Sequence, residues 1–568
     1  MVTQSPESES SPVVTPDTKK TEYQTSDGKP NVAVLTDRTP EALKLSGRAV
    51  LLTGAISVLF LILNYTPLWH TDLWGHLGYG RWIAEHGQLP ETEPLMPLAE
   101  GVRIIDTAWL GQLVCFHVYD RWGPSGIQFL YGLCIAGCAA LVAGSLYRRT
   151  GQVWIALFSV FLLLWIEYQQ IIIVRPQLGG MLCFALVFVL ATTSHWKKWT
   201  PALIASLFAI WANVHGSFLV GLAMLGALTV GRFIDVWKTS RSIKLALSES
   251  RVRQLLYALE FSAVACLVNP YGIGIYGEVL AISSNHNLES LIEWEPLTLR
   301  MKQGQAAAFL ATLLIFAYRM TPRRITVGEI LLLFGLGGAT LWISRFIVWW
   351  GIIAAYYFGL HASAIWRVWM NGRPQPAKRS GGYAVASLGL IWIGFAYTPF
   401  GGIIIHGPPK DEGRVEAAFR KQVSKTTPID AAEYLREHPP VGQIFNIYEW
   451  GDYLLWAGPK DLQVFVASHA HLIPEEIWRD YLEISRAGSS WSTKLDRYGV
   501  NTLVLYRSKQ APLIQRLEVA TDTWKQVYID DRAVIFERLK PITDQPLPDD
   551  QAVSQHSEFT PELPELES

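Results

Sequence analysis

Cysteine is scarce in this 568-residue chain: Cys115, Cys134, Cys138, Cys183 and Cys266 are all five. Each lies in or beside an apolar segment and none falls in the long polar C-terminal stretch, so neither a disulfide framework nor a cysteine-based metal site is indicated. Charge is scarce as well. Charged residues make up 17% of the chain and sum to −1, so bulk charge gives no support for nucleic-acid binding. No repeat stands at solenoid periods, and the first 47 or so residues are too polar for a secretory signal. What the chain has instead is apolar surface: 50% hydrophobic residues, with 23 Trp, 22 Tyr and 23 Phe. Its mean hydropathy of +0.20 is high for a soluble protein and low for a chain that is membrane throughout. A single-core soluble enzyme is excluded.

Resolved along the chain, that average splits into blocks. Residues 1–47, rich in Ser, Thr, Pro and Lys, are expected to be a disordered cytoplasmic arm. The run Ala49 to Leu68 is long enough to cross ~30 Å of hydrocarbon. Further runs at 126–147, 152–170, 178–194, 200–213, 217–237, 254–270, 305–319, 325–343, 346–366 and 382–401 make about eleven spans. Arg148 and Arg149, Lys197 and Lys198, the Arg232–Arg253 stretch, Arg319 with Arg323 and Arg324, and Arg367 to Arg379 all fall on one side. The positive-inside rule makes that side cytoplasmic and puts the N-terminus inside. An odd number of spans then leaves the C-terminus outside. The expected fold class is mainly α, a polytopic helical bundle over 48–404 with a large first outer loop, 69–124. An extracytoplasmic α/β domain over 405–540 and a disordered tail, 541–568, follow.

The outward loops differ chemically from the inward ones. The first holds Asp72, His76 and Asp106; the others hold Arg175, then Asn213 with His215, then Glu293, Trp294 and Glu295, then Arg345. In the first, Leu73, Leu77, Gly80 and Ala84 share one helical stripe, which predicts a short interfacial helix after Asp72. Asp is a preferred N-cap, so Asp72 reads equally as a cap and as a group facing a substrate.

The block Asp72-Leu73-Trp74-Gly75-His76-Leu77 is followed by Gly80-Arg81-Trp82-Ile83, Gly87-Gln88-Leu89-Pro90, Glu93-Pro94, Asp106, Trp109-Leu110 and Trp122-Gly123. Later come Arg175-Pro176-Gln177, Trp211-Ala212-Asn213-Val214-His215-Gly216, Asn269-Pro270-Tyr271-Gly272, Glu293-Trp294-Glu295-Pro296 and Tyr448-Glu449-Trp450-Gly451-Asp452-Tyr453. In order and topological side these pieces, spread over most of 48–540, resemble the bacterial polytopic glycosyltransferases of the GT-C superfamily, particularly their lipid-linked-sugar-dependent members. The resemblance implies a catalytic carboxylate in the first outer loop, which falls on Asp72, and a polyprenyl-phosphate sugar as donor. It implies a bacterial plasma membrane, inversion at the anomeric centre, and an acceptor that is a glycan, a lipid or a protein. No Asp-Asp or Asp-x-Asp pair stands at position 72, so a divalent cation (Mg or Mn) is not indicated and no cofactor is expected.

The chemistry asks for these residue types. An acceptor hydroxyl must lose its proton as it attacks, and a positioned carboxylate takes it; Asp72 is the candidate, with Asp106 as a second carboxylate. The leaving phosphate gains charge, and the planar arginine fork suits it, which selects Arg175 and Arg345, with His215 as a further donor. His76, Asn213, Glu293, Trp294 and Glu295 are candidates for sugar or acceptor contacts. Each has a structural alternative: snorkelling for the arginines, an interfacial anchor for the tryptophan, a buried structural role for the histidine. Glu167 and Glu260 lie near span ends, where they are expected to reach the interface. His469 and His471, two apart, share a face if they lie on a strand. The competing functions are a lipid-linked glycan flippase and a non-catalytic protein of envelope-polysaccharide assembly.

Overall fold

The computed structural model describes Lys29 and residues 39–370 and 377–542. Most of the expected N-terminal arm, and all but the first two residues of the expected tail, lie outside the described residues. The main helices are α1 (Gly47–Leu63), α2 (Leu73–His86), α3 (Trp109–Thr150), α4 (Val153–Ile171), α5 (Gln177–Thr192), α6 (Thr200–Val214) and α7 (Phe218–Ser240). They continue with α8 (Ser250–Ala265), α9 (Lys302–Met320), α10 (Val327–Trp342), α11 (Ile347–Trp369), α12 (Gly381–Ala396) and α13 (Pro399–His406). The mainly α architecture and the short helix after Asp72 are as the sequence predicts. Within α3 the chain breaks at Gly123 (φ 59°, ψ −154°), and Pro124 opens the apolar part that follows, the position where a missing N–H costs nothing.

Each of the eleven apolar runs coincides with a helix, but not each helix is a full span. Among the described residues four are long and apolar enough to cross a bilayer: α3, α4, α7 and the stretch Ser344–Trp369 that contains α11. The pair α12–α13, bent by 90°, makes a fifth if taken as one span. The apolar helices α1, α5, α6 and α10 have 17, 16, 15 and 16 residues, so they are about 22–26 Å long, short of ~30 Å. By length and composition the expected count of about eleven is therefore not reached.

The central element is α11, whose apolar window is 89% buried, against 28% for α7. It packs on α4, α9 and α10. Glu167 of α4 does not reach an interface: it is fully buried, with its carboxyl against Gly351 of α11, where a side chain would displace it. Glu260 is exposed. The two ends of the bundle differ. At one end arginines cap helix C-terminal carbonyls: Arg149 donates to Thr192 O, Arg251 to Ala191 O and Thr193 O (2.5 and 2.7 Å), and Arg367 to Thr150 O (2.8 Å), as the helix dipole favours. The connections carrying Asp72, Arg175 and Arg345 gather at the other.

After the bundle come α14 (Ile429–Glu437), α15 (Tyr448–Ala457), α16 (Glu475–Ser485) and α17 (Ala511–Val519), around a sheet of β1 (Gln443–Asn446), β2 (Gln463–Val464), β3 (Thr502–Tyr506), β4 (Trp524–Ile529) and β5 (Ala533–Arg538). Strand order is β2-β1-β3-β5-β4. β1 runs parallel to β2 and β3, with Ile444 opposite Thr502, and β5 is antiparallel to β3 and β4, with Leu503 opposite Phe536. The central strands β1 and β3 are buried on both faces, as strands covered on both sides are. This unit shares a core with the first loop: Tyr79, Met96, Leu98, Ala99 and Ile104 pack with Phe445, Phe465 and Trp478.

Helix α2 also lies flat on the start of α3. A Cβ at Gly80 would overlap the main-chain carbonyl of Gln112, and backbone cannot give way as a flexible side chain does. Gly80→Ala is expected to cost ~1–3 kcal/mol, the usual range for overpacking, read as a lower unfolding temperature in detergent.

Candidate active site

Asp72 stands at the N-cap position of α2, but its carboxylate caps nothing. Its backbone has φ 52° and ψ −52°, and Leu73 N donates to Thr71 O at 2.5 Å. This is a three-residue γ-turn of positive φ, a strained conformation for any residue with a side chain, of the kind that persists where surrounding contacts over-determine it. Those contacts are present. Leu68 N donates to Gln422 O and Ser424 N to Leu68 O, both at 2.7 Å. His70 Nδ1 meets Thr426 Oγ1 at 2.7 Å, and its Nε2 lies 3.6 Å from a Glu449 carboxylate oxygen. Trp74, fully buried, locks the other side. The capping reading is therefore corrected: the turn aims the carboxylate away from the helix, and Asp72 Oδ2 accepts instead from Arg175 Nη1 at 3.2 Å.

Arg175 sits in the connection between α4 and α5, just before Pro176, and is 6% exposed. Its Nη1 also donates to Glu293 Oε2 (3.0 Å) and its Nη2 to Gln170 Oε1 (2.9 Å), while its Nε is buried without a hydrogen-bond partner. Arg345 lies on a 3-10 turn ahead of α11. Its Nη1 donates to Glu293 Oε1 at 2.9 Å, and its Nε and Nη2 to Gln177 Oε1 at 3.1 and 3.0 Å. The guanidinium lies 5.5 Å from the Trp294 ring centre. Main-chain bonds from Arg345 N to Glu293 O (3.0 Å) and Ser344 N to Glu295 O (2.9 Å) hold the two connections together. Four expected residues, Asp72, Arg175, Glu293 and Arg345, thus form one connected cluster of two cations and two carboxylates.

The carboxylates are not equivalent. Glu293, gripped by both arginines, is held below the usual carboxylate range despite its burial. Asp72 is pushed up, because burial and the Glu293 charge outweigh its arginine. Pairs of groups whose environments separate their pKa values divide into a permanent charge and a proton acceptor: Glu293 is the former, Asp72 the latter.

His215 caps the end of α6 and accepts Ser217 N–H at Nδ1 (3.1 Å). Burial, then Arg345 and Arg175, push it well below its usual range; a neutral ring that accepts at Nδ1 carries its proton on Nε2. His76, half-buried on the first turn of α2, is pushed down to about 3 by burial and by Arg175, Arg345 and His471. Its Nδ1 meets Gln112 Nε2 at 3.3 Å, and the same nitrogen donates to Asp106 Oδ1 at 3.2 Å. Asp106 accepts further from Ala108 N (2.9 Å) and is raised to about 7 by burial.

Two expected residues fall outside the site. The Asn213 carboxamide is fully engaged: Oδ1 accepts from Trp109 Nε1 (2.9 Å), and Nδ2 donates to Ala209 O (2.8 Å) and Val268 O (2.7 Å). It ties α6 to α3 and to the end of α8 and has no group left for a sugar. Glu295 is exposed and, with Trp294, Trp342 and Ile343, lines a surface groove, with no side-chain bond to the arginine cluster. His469 precedes a 3-10 turn, Ala470–Leu472, and His471 lies within it, so neither is on a strand. Gln170 and Gln177 orient the arginines; Gln177 stands in the Arg175-Pro176-Gln177 motif, whereas Gln170 carries no sequence signal of its own. Among the described residues, no three His, Cys, Asp or Glu side chains converge as a metal-ligand set.

No protein-family model and no curated protein matches the sequence. Among solved structures, the chain is similar to an oligosaccharyltransferase from Archaeoglobus fulgidus tethered with an acceptor peptide containing the NVT sequon. The identity is 12% and the TM-score 0.48, covering 86% of this chain and 74% of that one. It is also similar to ArnT from Cupriavidus metallidurans, bound to undecaprenyl phosphate (12% identity, TM-score 0.46, 86% and 98% covered) and in the apo state (14%, 0.39, 86% and 97%). TM-scores below 0.5 at such identities leave the chemistry to the residues themselves.

Proposed function

We propose that this chain is an integral-membrane glycosyltransferase that moves a sugar from a polyprenyl-phosphate donor to a hydroxyl acceptor at the extracytoplasmic face. The observation that carries the reading is the strained turn at Asp72, which sets a carboxylate of raised basicity against Arg175, one of two arginines that Glu293 holds together. The acceptor oxygen attacks the anomeric carbon from the side opposite the phosphate and its proton passes to Asp72. The bond from the anomeric carbon to the phosphate oxygen breaks, so the configuration inverts. The departing phosphate gains charge, which Arg175, through its unpartnered Nε, and Arg345 stabilise, with His215 Nε2–H as a neutral donor. Fixed donors aimed at developing charge are the strongest lever such a site has.

The test is a transfer assay with the purified full chain in nanodiscs, using polyprenyl phosphates carrying radiolabelled mannose, glucose or arabinose and a mixed envelope extract as acceptor. The reading expects label to leave the lipid fraction for the acceptor fraction. Label that crosses the bilayer still attached to its lipid identifies a flippase instead, and label that does neither identifies an assembly protein without catalysis.

A further inference from the structure

Between α2 and the C-terminal α/β unit lies a second set of polar side chains that the transfer step does not use. His469 sits on His76 and Tyr79, with ring centres 5.3 and 4.5 Å apart, and lies 5.8 Å from His471. Asp452, on α15, accepts from Ser468 N at 3.3 Å through Oδ1, while its Oδ2 is buried without a hydrogen-bond partner. Asp106, joined to His76 through Gln112, likewise has a buried Oδ2 without one. The residues come from three parts of the chain, and their meeting is built rather than incidental. Gly75 lets α2 close on α15: a Cβ there would stand 2.7 Å from Asp452 Cγ. Asn287 Nδ2 donates to Ala470 O and Ile473 O at 2.8 and 2.7 Å, and Asn285 Nδ2 to His471 O at 3.1 Å, fixing the histidine turn from below.

We propose that this seam, lined by His76, His469, His471, Asp106 and Asp452, binds the hydroxyl groups of a saccharide acceptor. A buried carboxyl oxygen without a partner is costly, and two of them in one seam are met by a ligand that donates more than one hydrogen bond. The imidazoles are held neutral, His469 well below its usual range and His471 down to about 4, both by burial first, so each ring offers one donor and one acceptor. Hydroxyl groups, which donate and accept, match that lining. A prenyl or acyl chain would need an apolar wall, and an anionic acceptor would need cations that the Asp72–Glu293 pair already occupies. Burial first and then the Asp72 charge push Asp452 up to about 7, which ties the seam electrostatically to the base. The inference rests on the reading of Asp72 as that base and names the class of molecule delivered to it.

Saturation-transfer NMR on the full chain in nanodiscs, with maltotriose, cellotriose and mannotriose as saccharide probes and an N-acetylated tripeptide as control, tests the seam. Undecaprenyl phosphate is titrated in parallel by thermal shift. Wild type is expected to bind at least one trisaccharide and not the peptide. In Asp452→Asn and in His469→Gln the saccharide signal is expected to fall about five-fold or more, the equivalent of one net hydrogen bond, with undecaprenyl phosphate affinity within two-fold of wild type. If one variant does not fold, the other carries the comparison. A wild type that binds no trisaccharide, one that binds the peptide instead, or variants with undiminished saccharide signal overturn the proposal. A seam-dependent saccharide signal in a chain that ignores undecaprenyl phosphate leaves the seam standing and sinks the donor reading.

Discussion

Asp72→Asn is expected to lower the transfer rate by ~10²–10⁴-fold, the contribution of a positioned general base, while undecaprenyl phosphate affinity stays near wild type. The asparagine keeps the shape of the carboxylate and its Oδ1 still accepts from Arg175, so the cluster holds together and the loss lies in proton acceptance alone. Burial and Glu293 raise the Asp72 pKa above its unperturbed 3.8. The active form is the ionised one, so in wild type the acid limb of the rate–pH profile is expected above that value, with activity lost as pH falls through it. Glu293→Gln removes the like charge and leaves Asp72 with more cation around it. Its acid limb is expected to move to lower pH. Full transfer by Asp72→Asn, or an acid limb unmoved in Glu293→Gln, would remove Asp72 from the role of base.

How much of this site the sequence disclosed depends on which interaction made each residue functional. Asp72, Arg175 and Arg345 were each legible as polar groups at the ends of apolar runs, because a charge near hydrocarbon is conspicuous, and Glu293 as an acid in an outward loop. Their convergence was not: the Arg175–Asp72 and Arg345–Glu293 bonds join residues 103 and 52 positions apart, and periodicity carries no information at that range. The γ-turn was equally hidden, since Asp ahead of a helical stripe looks the same whether it caps or not. Asn213 shows the opposite error. Its neighbours Trp211 and His215 gave it the look of a site, but a carboxamide can satisfy two main-chain carbonyls and an indole at once, and here that cross-linking role consumes it. In the C-terminal unit the buried strand β3 is readable from its apolar run Leu503–Leu505. The edge strand β4, with buried and exposed positions mixed along Trp524–Ile529, offers no clean alternation to read.

Arg175→Gln is expected to be the more damaging change at this site. Arg175 is the one cation that touches both carboxylates, so its removal leaves Asp72 without an ion pair and halves the positive charge facing Glu293. Breaking a buried pair by deleting one partner costs ~3–5 kcal/mol, because the remaining charge stays buried and uncompensated; the cluster is therefore expected to loosen, read as a lower unfolding temperature at pH 8 than at pH 5. The sign follows from the carboxylates. Once the arginine is gone Asp72 rises further, protonates as pH drops, and relieves the repulsion with Glu293, so acid partly restores the variant's stability. Catalysis is expected to fall ~10²–10³-fold, the cost of losing one fixed donor to developing charge, together with donor affinity, whereas Asp72→Asn spares the latter. Arg175→Lys separates charge from geometry: an ammonium returns the cation but not a fork that reaches Asp72, Glu293 and Gln170 at once, so it is expected to recover stability and phosphate affinity more than rate. Equal recovery of all three would make Arg175 a point charge and no more, and would move the phosphate-gripping role to Arg345.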